Sequence, residues 1–478
     1  AALAPAMFSS LFGKTAPAPS PKLVSAINDK NWQWHQRYRT VDGYNVYGGR
    51  SQMAYQQGKD GPELKNYKVM QEEMSQRDVM TANREARVHA LAKGSDLTVD
   101  DSNLPPVTPV LSNKPGPNPD LSHPYPSGEE VISKVKLHEG LSMQLFADEK
   151  QFPDLVNPVQ MAWDTRGRLW VAAWPSYPER TPTSTAGDKL LVLEDTNNDG
   201  RADKCSTFLD NLNSPTGFQF WNDGVLVMQA PDLWFVRDTN GDGIGDHKEV
   251  VLNGLDSADT HHTTNAMCLD PGGATYLSDG VFHRTQVETL TGPTRHADGA
   301  IWRYEPRTGK FNLHIAYGFA NPHGRVFDRW GNDIVTDATG NATYFGPAIS
   351  GWLSEGKHAP IKELWNRPSR PCPATGLVSS RHFPDDWQGN FLNLNVIGFQ
   401  GIYRAKLEYK DSGIEGTRLP DLLEGQTETF RPICVSNGPD GAIYFCDWSQ
   451  TIIGHLQHHL RDPNRDHLHG RVYRLTYN

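Results

Sequence analysis

From Met143 onward the chain alternates apolar and polar residues in short runs broken by Gly, Asp and Asn, the pattern of strands joined by tight turns. One unit recurs: a strand, a turn of Asp, Pro and Gly, then a strand rich in aromatic and β-branched residues. It occupies 161–171, 218–227, 267–277 and 326–335, returns in degenerate form at 383–392, and closes at 435–445. Successive copies lie roughly 50–60 residues apart, room for a four-stranded sheet with one long loop. Strand-only repeats at this spacing predict an all-β fold, a six-bladed β-propeller over 128–478. Ring closure in such folds borrows a strand from the other terminus. The run from Leu141 to Phe146 is suited to pair with that from Gly470 to Leu475.

Before residue 128 the texture differs. Residues 1–30 are rich in Ala, Pro and Ser and read as a loose arm, followed by Trp32, Trp34 and a Tyr/Gly-rich stretch to Tyr55. Between Tyr67 and Leu91, Val69, Met70, Met74, Val79, Met80 and Val88 recur at helical spacing. Eight prolines in 103–126 mark an extended strap. No independent core is evident, so 1–127 is expected to be an extended, partly helical arm that packs on the propeller or on partner subunits.

Composition narrows the picture only modestly. A net charge of −10 argues against a nucleic-acid partner held through phosphates, and no apolar run is long enough for a membrane span. Cys434 and Cys446 flank the turn at 437–441 symmetrically and face each other across a hairpin, as a disulfide or as two buried thiols. The chain opens on Ala1 without an initiator methionine, as either a processed export product or a truncated chain would, and with calcium-type loops present a periplasmic or extracellular location is expected.

Two acidic loops carry metal-ligand spacing. The string DTNGDGIGDHKE at 238–249 satisfies the EF-hand loop template: Asp238, Asn240, Asp242, the Ile244 carbonyl, Asp246 and Glu249 are the ligands, and Gly243 permits the sharp turn. At 195–203, DTNNDGRAD supplies Asp195, Asn197, Asp199, the Arg201 carbonyl and Asp203, with Ser206 in the twelfth place. Both loops are flanked by strand-like runs, so structural Ca2+ at hairpin ends is expected. His455, His458 and His459 have the i, i+3, i+4 spacing of a metal site but fit a packed blade junction better, and Asp462, Arg465, Asp466, His469 and Arg471 read as an ion-pair network closing the ring.

The segments 161–171 and 191–203 and the ending DWSQTIIGHLQHHLRDPNRDHLHGR at 447–471 resemble a family of exported planctomycete and verrucomicrobial propellers. That family is described as PVC-type haem-binding CxxCH proteins with a dehydrogenase-like propeller. The resemblance covers about 130–478. Its members often continue into a c-type haem segment. No Cys-x-x-Cys-His occurs here, which implies no covalent haem in this chain and a partner, such as a c-type cytochrome, for any electron transfer.

More distantly the propeller resembles soluble quinoprotein glucose and sorbosone dehydrogenases, which use pyrroloquinoline quinone (PQQ) and calcium. That resemblance implies His262 as the base for a substrate hydroxyl, and Asn321 and Arg431 as quinone-binding residues. Ala320 and Ile433 stand where further arginines are expected, and the lysine position falls near Gly398 or Phe399. Losing cationic partners weakens the hold on a carboxylated quinone. The expected function is therefore a calcium-stabilised exported propeller serving as a structural or interaction subunit of a larger, redox-type assembly. The alternative is a quinoprotein-like sugar or alcohol dehydrogenase passing electrons to a cytochrome.

Overall fold

In a computed structural model, residues 3–478 are described apart from 19, 39–41, 340–341, 352–355, 367 and 455–456. The chain divides into two compact units, 1–40 with 67–109 and 41–66 with 110–478.

The larger unit is the six-bladed propeller. Blade one holds Pro158–Trp163, Leu169–Ala173, Asp188–Glu194 and Lys204–Leu212; blade two holds Gly217–Trp221, Gly224–Gln229, Asp232–Arg237 and His247–Asn253. Blade three is Asn265–Leu269, Thr275–Asp279, Ala300–Glu305 and Lys310–Ala316, with an inserted hairpin of Gln286–Thr289 and Gly292–Arg295. Blade four contributes Pro322–Phe327, Asp333–Asp337 and Ala342–Phe345. Blade five is Ala374–Leu377, Phe391–Asn395, Gly401–Lys410 and Gly413–Gly425, extended by Val135–Leu137. Blade six joins Pro432–Asn437, Ile443–Asp447 and Arg471–Tyr477 to Leu141–Asp148, the expected closure, with Val472 opposite Ala147 and Tyr473 opposite Leu145.

In four of the blades the recurring hairpin has one local cause. Asp164 accepts backbone N–H groups of Arg166 and Arg168, both at 2.9 Å, while Gly167 takes a left-handed φ of 74°. Asp270, Asp328 and Asp440 repeat this aspartate turn with Gly273, Gly331 and Gly441. The second oxygen of the turn aspartate takes an aromatic donor from the next strand: Trp170 Nε1 on Asp164, Tyr276 Oη on Asp270, Tyr444 Oη on Asp440. At 383–392 the turn is different. A short 3-10 turn, Asp385–Trp387, replaces the first strand, which lies earlier at Ala374–Leu377.

The smaller unit corrects the expectation of a loose arm over 1–30. Leu3–Phe12 and Pro21–Tyr38 are helices, and the expected helix runs over Asn66–Ala92. The second and third run antiparallel. Arg84 bonds Asp29 at 2.9 Å, Arg77 bonds Gln33 at 2.8 Å and Arg37 bonds Asp78 at 2.9 Å. The chain then returns along the third helix through Arg84–Asp101, at 3.0 Å, and Thr108–Glu72, at 2.7 Å. Among the described residues no helix is long and apolar enough to cross a membrane.

Candidate ligand-binding site

The first strands of the blades form the inner ring, each against the next. At the end where these strands begin and the second strands finish lies a cavity of about 440 Å³, within the size range of small-molecule sites. All six blades reach it, through Trp174, Thr216, Asn265, Asn321, Val396 and Trp448, so it occupies the hub. The sequence shapes this end with β-bulges. Register slips occur just inside the start of the first strand at Pro158/Gln160, Asn265/Cys268, Pro322/Arg325 and Pro432/Cys434. Such bulges turn side chains at the strand start toward the opening.

Buried carboxylates then hold the loops above the ring. Asp337 accepts the N–H groups of Ala320 and Asn321 at 2.7 and 2.9 Å, and Asp447 accepts those of Arg431 and Ser449 at 2.8 and 3.0 Å. Asp279 holds blade three differently, through His283 Nδ1 at 2.5 Å, Thr285 Oγ1 at 2.6 Å and Trp302 Nε1 at 2.9 Å. Burial alone would lower the His283 pKa; the adjacent Asp279 charge reverses this and raises it to about 9.

The blade-three loop brings histidines to the cavity. Asp259 caps a 3-10 turn, Thr260–His262, by accepting His261 N–H at 3.1 Å. The rings of His261 and His262 sit 4.4 Å apart and both line the cavity. Adjacent residues on a strand would point apart, whereas this turn brings both rings to one side. Gly280 makes room for it, since a Cβ there would lie 2.3 Å from the His262 carbonyl oxygen. Tyr177 Oη lies 2.7 Å from His261 Nδ1 and accepts Gly454 N–H at 2.9 Å. Burial raises the Tyr177 pKa, so its hydroxyl stays protonated. His323, also on the wall, donates from Nδ1 to the Pro373 carbonyl, and burial lowers its pKa to about 4, which keeps it neutral at ordinary pH.

His262 and Asn321 thus meet in one cavity, as the quinoprotein resemblance implies. Arg431 is placed outside the lining. Its Nε donates to Gln450 O at 2.7 Å and Nη1 to Val396 O, and burial lowers its pKa to about 10. The donor set does not suit a quinone with three carboxylates. Of the arginines on the wall, Arg50 is paired with Asp259 at 2.9 Å, which leaves exposed Arg370 as the one uncommitted cation among the described residues.

The acidic loops share one conformation. In each, the first aspartate accepts the N–H of the sixth-place glycine, Asp195 from Gly200 and Asp238 from Gly243, both at 2.8 Å. Asn197 and Asn240 each accept the N–H two residues on, at 2.9 Å. Asp203 and Asp246 bond the hydroxyls of Thr196 and Thr239 at 2.7 and 2.6 Å. Asp199 and Asp242 accept the N–H groups of Arg201 and Ile244, both at 2.8 Å. Glu249 lies on the following strand, opposite Phe235. Among the described residues no three His, Cys, Asp or Glu side chains converge on a metal position.

Of the terminal histidines, His455 lies outside the described residues; His458 bonds Asn113 at 2.6 Å, and His459 packs edge-on against Tyr55. Arg471 does tie the ring, bonding Glu149 at 3.0 Å, whereas Arg465 spends itself on the Gly454 and His459 carbonyls. Cys434 and Cys446 are directly opposed across the hairpin and are free thiols.

Sequence reasoning missed Arg50, Trp174, Tyr177, Asp259, Asn265 and Trp448 on the cavity wall. One signal was present. Asp279, Asp337 and Asp447 each stand two residues past the end of a recurring unit, where the second strand stops at the hub.

These features define a six-bladed propeller with a small-molecule cavity at its hub. The chain belongs to the family described as a domain of unknown function, DUF7133, which matches residues 127–371 and 370–478. No curated protein matches the sequence. Among solved structures it is similar to the holo PQQ domain of pyranose dehydrogenase from Coprinopsis cinerea, at 12% identity and a TM-score of 0.47 over 72% of this chain and 97% of that one. A glucose dehydrogenase aligns at 13% identity and 0.44, over 70% and 99%. A gluconolactonase from Xanthomonas campestris aligns at 10% identity and 0.42, over 72% and 91%.

Proposed function

We propose that the hub cavity binds a neutral, hydroxyl-rich molecule of monosaccharide size. One observation carries this reading: the cavity wall sets the indoles of Trp174 and Trp448 beside the amides of Asn265 and Asn321 and the imidazoles of His261, His262 and His323, while the Arg50 charge is paired with Asp259. A mixed wall of aromatic faces and neutral polar groups suits a neutral ligand with several hydroxyls and an apolar face. A pyranose has both, and indole faces suit its apolar side. Calorimetric titration with D-glucose and other neutral hexoses tests it. Saturable binding weakened at least tenfold by Asn321→Ala is expected; the absence of binding at millimolar sugar would sink the reading.

Oxidation of the bound sugar is a second reading, favoured by His262 on the cavity wall. Its imidazole would take the hydroxyl proton while a soluble hydride acceptor, or a cytochrome partner beyond it, takes the electrons. Sugar-dependent reduction of a soluble acceptor, lost in His262→Gln, tests this step.

We propose further that the protein works outside the cytoplasm, that calcium occupies the 195–203 and 238–249 loops, and that 1–127 engages partner subunits. Supporting the last is the helix Leu3–Phe12, which exposes Leu3, Met7, Leu11 and Phe12. The wider kinship with PVC-type haem proteins belongs to this same proposal and rests on the 447–471 ending.

A further inference from the structure

We infer that His323 is a ligand-binding residue of the hub cavity, its Nε2 a fixed hydrogen-bond acceptor for one hydroxyl of the bound molecule. The inference deepens the sugar reading and rests on it.

The first strand of blade four places the ring. His323 lies inside the register slip between Pro322 and Arg325, where the strand leaves its regular alternation, and it lines the cavity, as Asn321 does. Gly324 follows with a left-handed φ of 100°, and a Cβ there would lie 3.2 Å from Ala374 Cα. Glycine therefore lets the first strand of blade five come close. The carbonyl of Pro373, the residue before that strand, meets His323 Nδ1.

A carbonyl oxygen only accepts, so Nδ1 carries the ring proton and donates it. The imidazole is neutral at ordinary pH, so Nε2 holds a bare lone pair. His323 is only partly buried, and among the described residues its Nε2 has no partner. Two other polar groups of the wall are already spent: Asn321 Nδ2 donates to Thr339 Oγ1 at 2.5 Å, and His261 Nδ1 faces the Tyr177 hydroxyl at 2.7 Å. The bond to Pro373 thus fixes the tautomer of His323 before any ligand arrives. A site with such a fixed acceptor favours a ligand that donates at that point over an analogue that cannot.

The ring ¹⁵N signals of His323 in the full chain, assigned with His323→Gln, read the tautomer. Wild type should show Nδ1 protonated and Nε2 bare, and saturating D-glucose should shift the Nε2 signal. A proton on Nε2 in the free protein, or an Nε2 signal unmoved at saturation, overturns the inference. His323→Asn keeps an amide N–H for the Pro373 carbonyl and removes the acceptor. It should melt as wild type does and bind D-glucose about tenfold more weakly. In the monodeoxyfluoro analogues of D-glucose, one hydroxyl that donates becomes a fluorine that cannot. One analogue should bind wild type about tenfold more weakly than D-glucose does, and His323→Asn no more weakly. Equal losses in both proteins for every analogue overturn the inference and leave the sugar reading standing. If His323→Asn does not fold, the wild-type ring signals still decide. If wild type binds no D-glucose, the sugar reading and the inference fall together.

Discussion

At the scale of single residues the propeller stores charge where it needs rigidity. Asp279 and His283 are both essentially excluded from water, and together they anchor the blade-three loop that presents the cavity histidines. The His283 pKa is raised from 6.5 to about 9, so its pairing contributes fully below about 6.5 and is lost as pH rises through 9. The Asp279 pKa is lowered despite burial, so its contribution holds above the ordinary carboxylate range and fades in acid. Thermal stability should therefore decline between pH 6.5 and 9.5 in wild type, over and above any general drift. His283→Gln should flatten that decline and cost about 3–5 kcal/mol at neutral pH, because it strands a buried carboxylate. Calorimetric melting across this pH range checks both; an identical decline in the variant would assign it elsewhere.

At the scale of elements, the aspartate turn is the legible unit. Its Asp and Gly lie close in sequence, so four hairpins could be read from it directly, and the 218–227 hairpin followed from its strand pattern. The copy at 383–392 was misplaced because Asp385–Trp387 mimics the pattern without making a strand. The two acidic loops are equally local. Gly200 and Gly243 adopt φ of 85° and 86°, the left-handed turn that an EF-hand loop requires, and the amides already hold the aspartates in place. We expect calcium to raise the melting temperature by a few degrees, with chelation reversing it and Asp238→Ala removing part of the gain. A melting temperature indifferent to both calcium and chelator would leave the loops as amide-capped turns. Of the small-unit helices only Asn66–Ala92 was read from the sequence. Pro21–Tyr38 is fixed along it in part by polar pairs such as Arg84–Asp29, whose partners lie 55 residues apart.

At the scale of the whole molecule, one strand pairing decides whether the blades form a ring. Tyr473 is fully buried, lies opposite Leu145, stacks beside Phe445 and donates to the Gly128 carbonyl at 3.0 Å. Tyr473→Ala should cost about 3–5 kcal/mol and lower the urea midpoint in a single transition, since opening the closure frees the outer strand of blade six and exposes an unpaired sheet edge. Separate early melting of blade six alone would show that closure is not the cooperative step. By itself the sequence determined the blade number, five of the six hairpins, the closing strands and the two acidic loops, because each depends on residues within one repeat or on periodicity. Tertiary structure decided the cavity. His262 and Asn321 were legible by resemblance, but Trp174, Trp448, Asn265 and Arg50 come from different blades and from a segment far upstream. Arg431, equally plausible in sequence, is consumed by two backbone carbonyls. A site assembled at a hub from single residues of every blade has no spacing to read, and only the closed ring brings its donors and acceptors together.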